Sequence, residues 1–386
     1  MLALLPCLLA AFAPVQDSPR LRTLLNNGTA ILVERMPDAR QLNVHLFASA
    51  RGVEETSGTH GYRHLLEHLM LKGKDNRLDQ RLEAKGIFFV GRTLRDVMDI
   101  HFTASPTQLP DILAALEEVL APLKTTPEAI QQELSILRQE RTLQDDTMRL
   151  SRTAWTAAFQ EAGLEPFGNL DTMAKVSPDE LVGLQLLHFT PANLVISVSG
   201  PVELESTTKL IQTKFEEREG PGVAARHPVV PQAARAEAED AFGEMRGALS
   251  NGLGRTTAAN LCAAYAISAR LENTTVLYTP TLGPGMVLVG RTDANNRLGQ
   301  FIDGLTPGEQ AALFPIGKLL ADRWLSTLLK TPQGNSYLRG FLIALSPALK
   351  PEELLDNIRT VTWTEFSEAI ARFRKEKAVI AVGVHS

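Results

Sequence analysis

Two histidines and a glutamate in residues 61–73, GYRHLLEHLMLKG, have types and spacing that suit metal chemistry. His64 and His68 are four residues apart, so on a helix both imidazoles lie on one face and can bind one ion. Two His ligands and a third protein ligand leave one zinc position open for water. Glu67 lies beside that face, where a carboxylate can take the proton of the water. The pattern predicts a hydrolytic zinc site on a helix.

A competing interpretation of the same segment is two structural histidines that happen to be four residues apart. Histidine accounts for only 8 of the 386 residues, which makes this coincidence rare and favours the metal site. His60 lies four residues before His64, ahead of the predicted helix start, and we interpret it as a loop residue.

The third ligand must come from another element, and a second predicted helix offers two glutamates. Thr126 followed by Pro127 is typical of a helix start, and the helix should run to about Leu143. Glu133 and Glu140 are seven residues apart and share one face after two turns. From the spacing alone, a solvated surface charge is an equally good interpretation of either glutamate.

The elements that must position these residues form two similar sets along the chain. Strands are predicted at 30–34, 43–50, 99–105, 194–200 and 378–384, and a further helix at 110–123. Two helix–strand units begin with capping boxes at Ser177 and Thr362, 185 positions apart. Between them, residues 216–241 have the charge runs and the Gly and Pro content of a linker. We predict two structurally related α+β domains, 17–215 and 242–386, each a mostly antiparallel sheet packed with helices.

The composition of the chain excludes several other classes of protein. A chain of 386 residues and 42.2 kDa with 44% hydrophobic and 22% charged residues is globular and large enough for two domains. Its net charge of -5 gives no electrostatic reason to expect nucleic acid as a partner. Two cysteines cannot build a disulfide framework. No apolar run reaches the ~20 residues of a spanning helix, so we expect no transmembrane span.

The first fifteen residues, MLALLPCLLAAFAPV, resemble the apolar core of a signal peptide. Ala11-Phe12-Ala13 has the small-x-small form of a cleavage site, and we predict a signal peptide over 1–16 and export to the periplasm or the exterior. The alternatives are a buried N-terminal strand or a start codon assigned too early, since no basic residue precedes the run.

The motif at His64–His68, with Glu133 and Glu140 downstream, resembles the insulinase/pitrilysin family of zinc peptidases, and within it the short branch that includes mitochondrial processing peptidase and bacterial relatives. The likeness covers most of the N-terminal half and is weak in the C-terminal half. It includes Gly52, Glu54, Gly61, Lys72-Gly73, Pro166-Phe167-Gly168 and the segment 189–193.

This resemblance implies a specific role for each residue. His64, His68 and Glu140 would bind one zinc ion per chain, Glu67 would be the general base, and Glu133 would orient the site from outside the ligand set. The family fold implies that two such units, in one chain or two, close like a clamshell around a peptide. A chain with one unit would then form a homodimer or a heterodimer with a related subunit.

The sequence departs from the family pattern at two places. An Asn-Ala-x-Thr stretch on an edge strand, where the substrate main chain pairs, is here Val90-Gly91-Arg92-Thr93. Main-chain pairing at Val90, Gly91 and Thr93 survives this change, whereas a side-chain contact from the Asn is lost.

The second departure concerns an Arg and a Tyr, seven residues apart in the family, that hold the substrate carbonyl. The nearest matches are Arg270 and Tyr278, spaced by eight, and an equally good interpretation makes Arg270 a surface charge and Tyr278 a strand residue.

The resemblance therefore implies a zinc metalloendopeptidase that acts on peptides or unfolded polypeptides. The rival is a non-catalytic or partner-dependent subunit that binds zinc and peptide within a hetero-oligomeric peptidase. A peptide-binding protein that has lost its metal is disfavoured by the complete ligand set.

Overall fold

Two β-sheets organise the chain, and the computed structural model describes residues 18–160, 165–220, 231–293 and 297–384. The strands within these ranges are β1 (Arg20–Leu24), β2 (Ala30–Arg35), β3 (Leu42–Ala48), β4 (Phe88–Thr93), β5 (Met98–Ala104), β6 (Leu194–Gly200), β7 (Arg235–Glu239), β8 (Glu244–Asn251), β9 (Thr274–Tyr278), β10 (Pro284–Arg291) and β11 (Val379–Val384). The predicted signal peptide, residues 1–16, lies outside the described residues.

Helices of one to seven turns connect the strands. They are α1 (Tyr62–Leu71), α2 (Leu78–Glu83), α3 (Leu109–Val119), α4 (Pro127–Leu143), α5 (Asp146–Phe159), α6 (Leu170–Met173), α7 (Pro178–His188), α8 (Leu204–Phe215), α9 (Arg255–Ser268), α10 (Leu298–Gly304), α11 (Pro307–Lys330), α12 (Pro332–Leu345), α13 (Pro351–Thr360) and α14 (Trp363–Phe373). None of these helices combines the length and the apolar character that a membrane span requires.

The two sheets repeat one topology. The first has the order β1-β2-β6-β3-β5-β4 and the second β7-β11-β8-β10-β9. Without the extra edge strand β1, both sheets place their strands in the order first, last, second, fourth, third. In both, the first and last strands are parallel and the other neighbours are antiparallel. The prediction of two related, mostly antiparallel α+β domains is confirmed.

The repeated helix–strand units found in the sequence occupy equivalent places. Each capping box is formed, at Ser177 before α7 and at Thr362 before α14. Each helix leads into the strand inserted between the first and second strands of its sheet, β6 or β11. The second sheet, however, begins earlier than predicted, since β7 lies inside the segment 216–241 that the sequence pattern predicts to be a linker. The short alternating pattern of β7, RAEAE, is mostly polar and therefore does not indicate a strand.

Each sheet is also covered by a helix from the other half of the chain. Helix α12 packs on β3 and β6 of the first sheet, where the ring of Phe341 meets that of Phe47 edge-on at 6.1 Å. Helix α5 packs on β7, β8 and β11 of the second sheet through a buried face that includes Leu150 and Ala154. The two halves therefore complete each other's cores.

Helix α12 comes very close to the first sheet at Gly340, and this contact leads to a prediction about stability. A Cβ atom there would lie 2.5 Å from Phe47 and 2.6 Å from the Cβ atom of Ser197. We expect Gly340→Ala to lower the free energy of unfolding by about 1–3 kcal/mol through overpacking, measured by urea denaturation.

The matched control is Gly183→Ala on α7, where an added Cβ meets no atom within 4 Å. Ala is the better helix former, so this variant should be neutral or more stable by up to about 1 kcal/mol. Equal behaviour of the two variants would contradict close packing of α12 on the first sheet.

Candidate metal centre

Helix α1 presents the two histidines because its other face is apolar. Leu65, Leu66 and Met70 are buried in the core beneath the first sheet. The imidazoles of His64 and His68 lie on the opposite side, 12% and 13% exposed. Their ring centroids are 4.9 Å apart with the planes at 80°, so the i, i+4 spacing brings the rings together as predicted.

A buried arginine anchors the start of this helix. Arg63 is fully buried, and its Nη1 donates to the carbonyls of Ala50 at 2.5 Å and Leu94 at 2.9 Å. The Arg63 amide donates to the Glu55 carboxylate at 3.0 Å. These bonds fix the first turn of α1 against the loops on either side of it.

Helix α4 supplies the third donor. Thr126 caps it by accepting from the amide of Ala129. Glu140 lies 3.8 Å from His64 Nε2 and 3.6 Å from His68 Nε2. One donor atom each from His64, His68 and Glu140 lie within 4.8 Å of one another, and among the described residues this is the one group of three or more such donors that could hold an ion. The surface-charge interpretation of Glu140 therefore gives way to a place beside the histidines.

The remaining nitrogen of each imidazole is occupied by an acceptor. His64 Nδ1 donates to the Phe167 carbonyl at 3.0 Å, and His68 Nδ1 donates to Glu133 Oε2 at 3.3 Å. The other oxygen of Glu133 pairs with the ammonium of Lys72 at 3.1 Å. Both rings are thereby held with Nε2 directed at Glu140, the arrangement typical of metal-binding histidines.

The charge states of the donors follow from these surroundings. Burial, reinforced by nearby His68, lowers the pKa of His64 to about 4. Burial also opposes protonation of His68, but its hydrogen bonds to Glu133 and Glu140 prevail and raise its pKa to about 9. The hydrogen bond from His68 lowers the pKa of Glu140. His68 would have to lose its Nε2 proton for this nitrogen to hold a metal ion, because an imidazole binds a metal only through a deprotonated nitrogen.

Glu67 is buried on α1, with its carboxylate against strand β4. Its Oε2 accepts from the Thr93 hydroxyl at 2.5 Å. Its Oε1 lies over Gly91, where an added Cβ would come within 2.6 Å of it. Burial raises the pKa of Glu67 to about 7. Strand β4 thus positions the carboxylate from beneath, by a hydroxyl at Thr93 and by the absence of a side chain at Gly91.

Strand β4 is an edge of the first sheet. Its partner among the described strands is β5, with Val90 opposite His101 and Thr93 opposite Met98. The pairing puts Gly91 and Thr93 on the face of the sheet that carries α1, while Val90 and Arg92 lie on the other face. Arg92 pairs there with Asp99. No described strand pairs with the other side of β4, whose backbone groups an added strand could use.

The structure does not bring Tyr278 and Arg270 to this centre. Tyr278, on β9 in the second sheet, donates its hydroxyl to the Gly252 carbonyl at 3.2 Å and packs against Trp324. Arg270 follows α9 and is exposed. The pKa of Glu309 is lowered by its hydrogen bonds with Thr306, with a smaller contribution from the charge of Arg270. Within the described part of the chain, neither contacts His64, His68 or Glu140, as the alternative interpretation of the two residues expects.

Sequence reasoning missed three supporting contacts at the centre. The carbonyl of Phe167, the bond from Thr93 to Glu67 and the pair of Lys72 with Glu133 all join distant segments. The resemblance to the family covered the segments that contain these residues, but it did not imply these contacts. No spacing rule links a backbone carbonyl to a histidine 103 positions away.

Comparison with known proteins finds similarity to a family of peptidases. Residues 26–166 match the family model described as Insulinase (Peptidase family M16). An uncharacterized zinc protease of Streptomyces coelicolor is 23% identical over 222 residues, 55% of this chain and 48% of that protein. A probable mitochondrial-processing peptidase subunit beta of Schizosaccharomyces pombe is 24% identical over 221 residues, with the same two coverages. The chain thus spans about half the length of the curated relatives it matches.

Solved structures share the fold over nearly the whole chain. A protease from Helicobacter pylori superposes with a TM-score of 0.79 at 14% identity, covering 96% of this chain and 100% of that one. The periplasmic protease PqqL from Escherichia coli gives a TM-score of 0.70 at 17% identity, covering 96% of this chain and 48% of that one. The resemblance to the insulinase family, with zinc protease and mitochondrial-processing peptidase relatives, is confirmed.

The bond from Thr93 to Glu67 yields a prediction that needs no ligand. Thr93→Val keeps the shape of the side chain but leaves a buried carboxylate without its hydroxyl donor. We expect the free energy of unfolding to fall by about 1–3 kcal/mol, measured by urea denaturation. Thr93→Ser retains the donor and should stay closer to the parent protein. A Val variant as stable as the Ser variant would show that the bond contributes nothing.

Proposed function

From the insulinase-family match of residues 26–166, and from a fold shared with M16-like peptidases over 96% of the chain, we propose that this protein is a zinc-dependent metalloendopeptidase. Its substrates are peptides or unfolded polypeptides, and the zinc site holds one ion per chain. The observation that carries the proposal is the convergence of His64, His68 and Glu140 beside the buried carboxylate of Glu67.

The donor set fits zinc in the number and type of its ligands and in the orientation of its imidazoles. Two imidazoles and one carboxylate make a three-ligand set of the kind found in catalytic zinc sites, which keep one position open. Both Nδ1 atoms are engaged by Phe167 and Glu133, which leaves both Nε2 atoms for an ion. Zinc held there would polarise the carbonyl of a substrate and acidify a water molecule.

Glu67 performs the proton transfers in this proposal. Its carboxylate takes a proton from the attacking water and delivers it to the amine nitrogen as the C–N bond breaks. Water and one peptide bond are consumed, and one carboxylate and one amine are produced. Thr93 fixes Oε2, while the bare backbone at Gly91 leaves room for Oε1, so the carboxylate does not have to be reoriented before it acts.

The edge of β4 is the proposed binding site for the main chain of the substrate. A peptide added as a strand beside Val90–Thr93 would gain main-chain hydrogen bonds and would run past Glu67. Such recognition reads the extended backbone more than the side chains, which suits a peptidase for unfolded chains. Val90, at the position of the Asn in the family pattern that the sequence resembles, offers an apolar surface instead of an amide.

We further propose that the active unit contains a second copy or a related subunit. Mitochondrial-processing peptidase subunit beta is by name one subunit of an assembly, and the chain covers 48% of PqqL. Tyr278 donates its hydroxyl to Gly252 and Arg270 is exposed after α9, away from the centre, so a second unit is the proposed source of groups that hold the substrate carbonyl.

A non-catalytic subunit is the second candidate, motivated by Val90 and by the remote positions of Tyr278 and Arg270. Glu67 opposes it, because a structural zinc site has no use for a buried base whose Oε2 is held by a hydrogen bond from Thr93. Zinc binding without cleavage until a related chain is added would favour the partner-dependent form.

Export is proposed on the sequence pattern of residues 1–15. Expression in a Gram-negative host followed by fractionation and N-terminal sequencing tests it. We expect a periplasmic product that begins near Pro14. A cytosolic product that retains Met1 or Leu2 would contradict export.

Replacement of the base tests the catalytic proposal. We expect Glu67→Gln to reduce cleavage of a mixed peptide library by at least about 10²-fold, because the amide cannot accept the proton of the water. Its zinc content should remain about one ion per chain by metal analysis.

The control is Glu205→Gln on the exposed face of α8, which should cleave like the parent protein. Parent protein that takes up no zinc, or undiminished cleavage by Glu67→Gln, would overturn the proposal.

A further inference from the structure

Glu165 forms a tight turn beside the metal centre. The residue is 8% exposed, and its carboxylate folds back onto the following backbone. Oε2 accepts from the Phe167 amide at 3.0 Å, and Oε1 accepts from the Gly168 amide at 3.2 Å. A buried carboxylate is tolerated when it is hydrogen-bonded in this way, so the side chain and the turn hold each other in place.

One of these bonds acts on the peptide group that faces His64. The amide of Gly168 and the carbonyl of Phe167 belong to the same planar unit and point in opposite directions. Glu165 receives the hydrogen at one end, and the carbonyl oxygen at the other end accepts from His64 Nδ1 at 3.0 Å. A negative charge at the amide end polarises the unit and strengthens the carbonyl as an acceptor.

The turn is also locked against the start of α1. His60 Nε2 donates to the Glu165 carbonyl at 3.0 Å, and the Asn169 amide donates to the His60 carbonyl at 3.2 Å. Gly168 has a φ of 87°, and a Cβ atom there would lie 2.1 Å from the Cα atom of Gly61. The carbonyl of Phe167 is therefore held in place and does not shift with the ring of His64.

The two imidazoles thus depend on carboxylates in parallel ways. His68 donates directly to Glu133, whereas His64 donates to a carbonyl whose peptide group is held by Glu165. A second-layer carboxylate fixes the tautomer and direction of a metal-binding imidazole and raises its strength as a ligand.

We propose that Glu165 is a positioning residue of the metal centre, which acts through the Phe167–Gly168 peptide group to hold the His64 ring with Nε2 toward Glu140. The inference rests on the proposed zinc function. It adds a residue that touches neither the ion nor the substrate.

The test compares zinc affinity and the absorption spectrum of the cobalt(II)-substituted protein. Glu165→Gln removes the negative charge of the side chain and turns an NH₂ group toward one of the two backbone amides, of Phe167 and Gly168, that donate to Glu165. We expect zinc affinity, measured by competition with a chromogenic chelator, to fall about 10–100-fold. The ligand-field bands of cobalt(II) should shift, because the direction of His64 changes.

Two further variants separate positioning from loop stability. Asn169→Ala removes two backbone-amide contacts, to Asp171 and Thr172, from the same segment, yet leaves the Phe167 carbonyl alone, and its affinity and spectrum should match the parent. Glu165→Asp should keep the zinc affinity and the cobalt spectrum of the parent protein. A side chain of this length can accept from the amides two and three residues further on, as Asn169 does in the same segment.

The outcomes are distinguishable. Parent protein without zinc would overturn the proposed function and this inference with it. Parent protein that binds zinc, with Glu165→Gln binding it equally well, would overturn the inference alone. Equal losses in Glu165→Gln and Asn169→Ala would overturn it as well, by reducing the effect to loop stability. Should Glu165→Gln fail to fold, Glu165→Asp still decides, because an altered cobalt spectrum in that folded variant contradicts the proposed geometry.

Discussion

Each imidazole of α1 keeps its Nε2 atom directed at Glu140 only while its Nδ1 hydrogen is held by a fixed acceptor. The acceptors are the carboxylate of Glu133 and the carbonyl of Phe167, and each belongs to a separate segment packed against α1. The apolar face of α1, the buried Arg63 and the edge strand β4 serve the same end from the other sides. The centre is thus formed where four segments meet. Helix α1 supplies the two imidazoles, but the other segments fix the directions of the rings.

The repeat places this chemistry in one half of a duplicated architecture. Helix α9 follows β8 as α1 follows β3, and each helix packs among the strands of its own sheet. The sequence of α9, RTTAANLCAAYAIS, has no histidine or acid, and its central residues are buried. One copy of the topology therefore carries the pair of histidines, while the helix in the corresponding place of the other copy is mostly apolar and buried. The family model matches within the first copy, at residues 26–166.

Much of the centre could be predicted because its residues obey short-range rules. His64, Glu67 and His68 lie within two turns of one helix, and the spacing of Glu133 and Glu140 places them on one face. Which glutamate lies beside the Nε2 atoms of both histidines depends on how α4 crosses α1. Spacing holds no information on that crossing, and the family resemblance pointed to Glu140. Glu165 could not be found at all, because its effect passes through the backbone.

At the level of the fold, local patterns located β2, β3, β5, β6 and β11, and for β6 and β11 also the capped helices that precede them. They left the buried strands β8 and β10 unassigned. They missed β7, whose residues are mostly polar. They also missed the exchange of α5 and α12 between the sheets. Amphipathic periodicity shows that a helix has a buried face, and it does not show which sheet covers that face.

The exchange of α12 has a consequence for the order of events during synthesis. Asn335 donates to Glu34 across 301 positions, and Phe341 closes the core over Phe47. The face of the first sheet around Phe47 therefore stays uncovered until most of the chain has left the ribosome. Contacts of such separation form late, after a large loss of loop entropy. A nascent chain of this design therefore exposes the apolar surface around Phe47 until α12 has been synthesised.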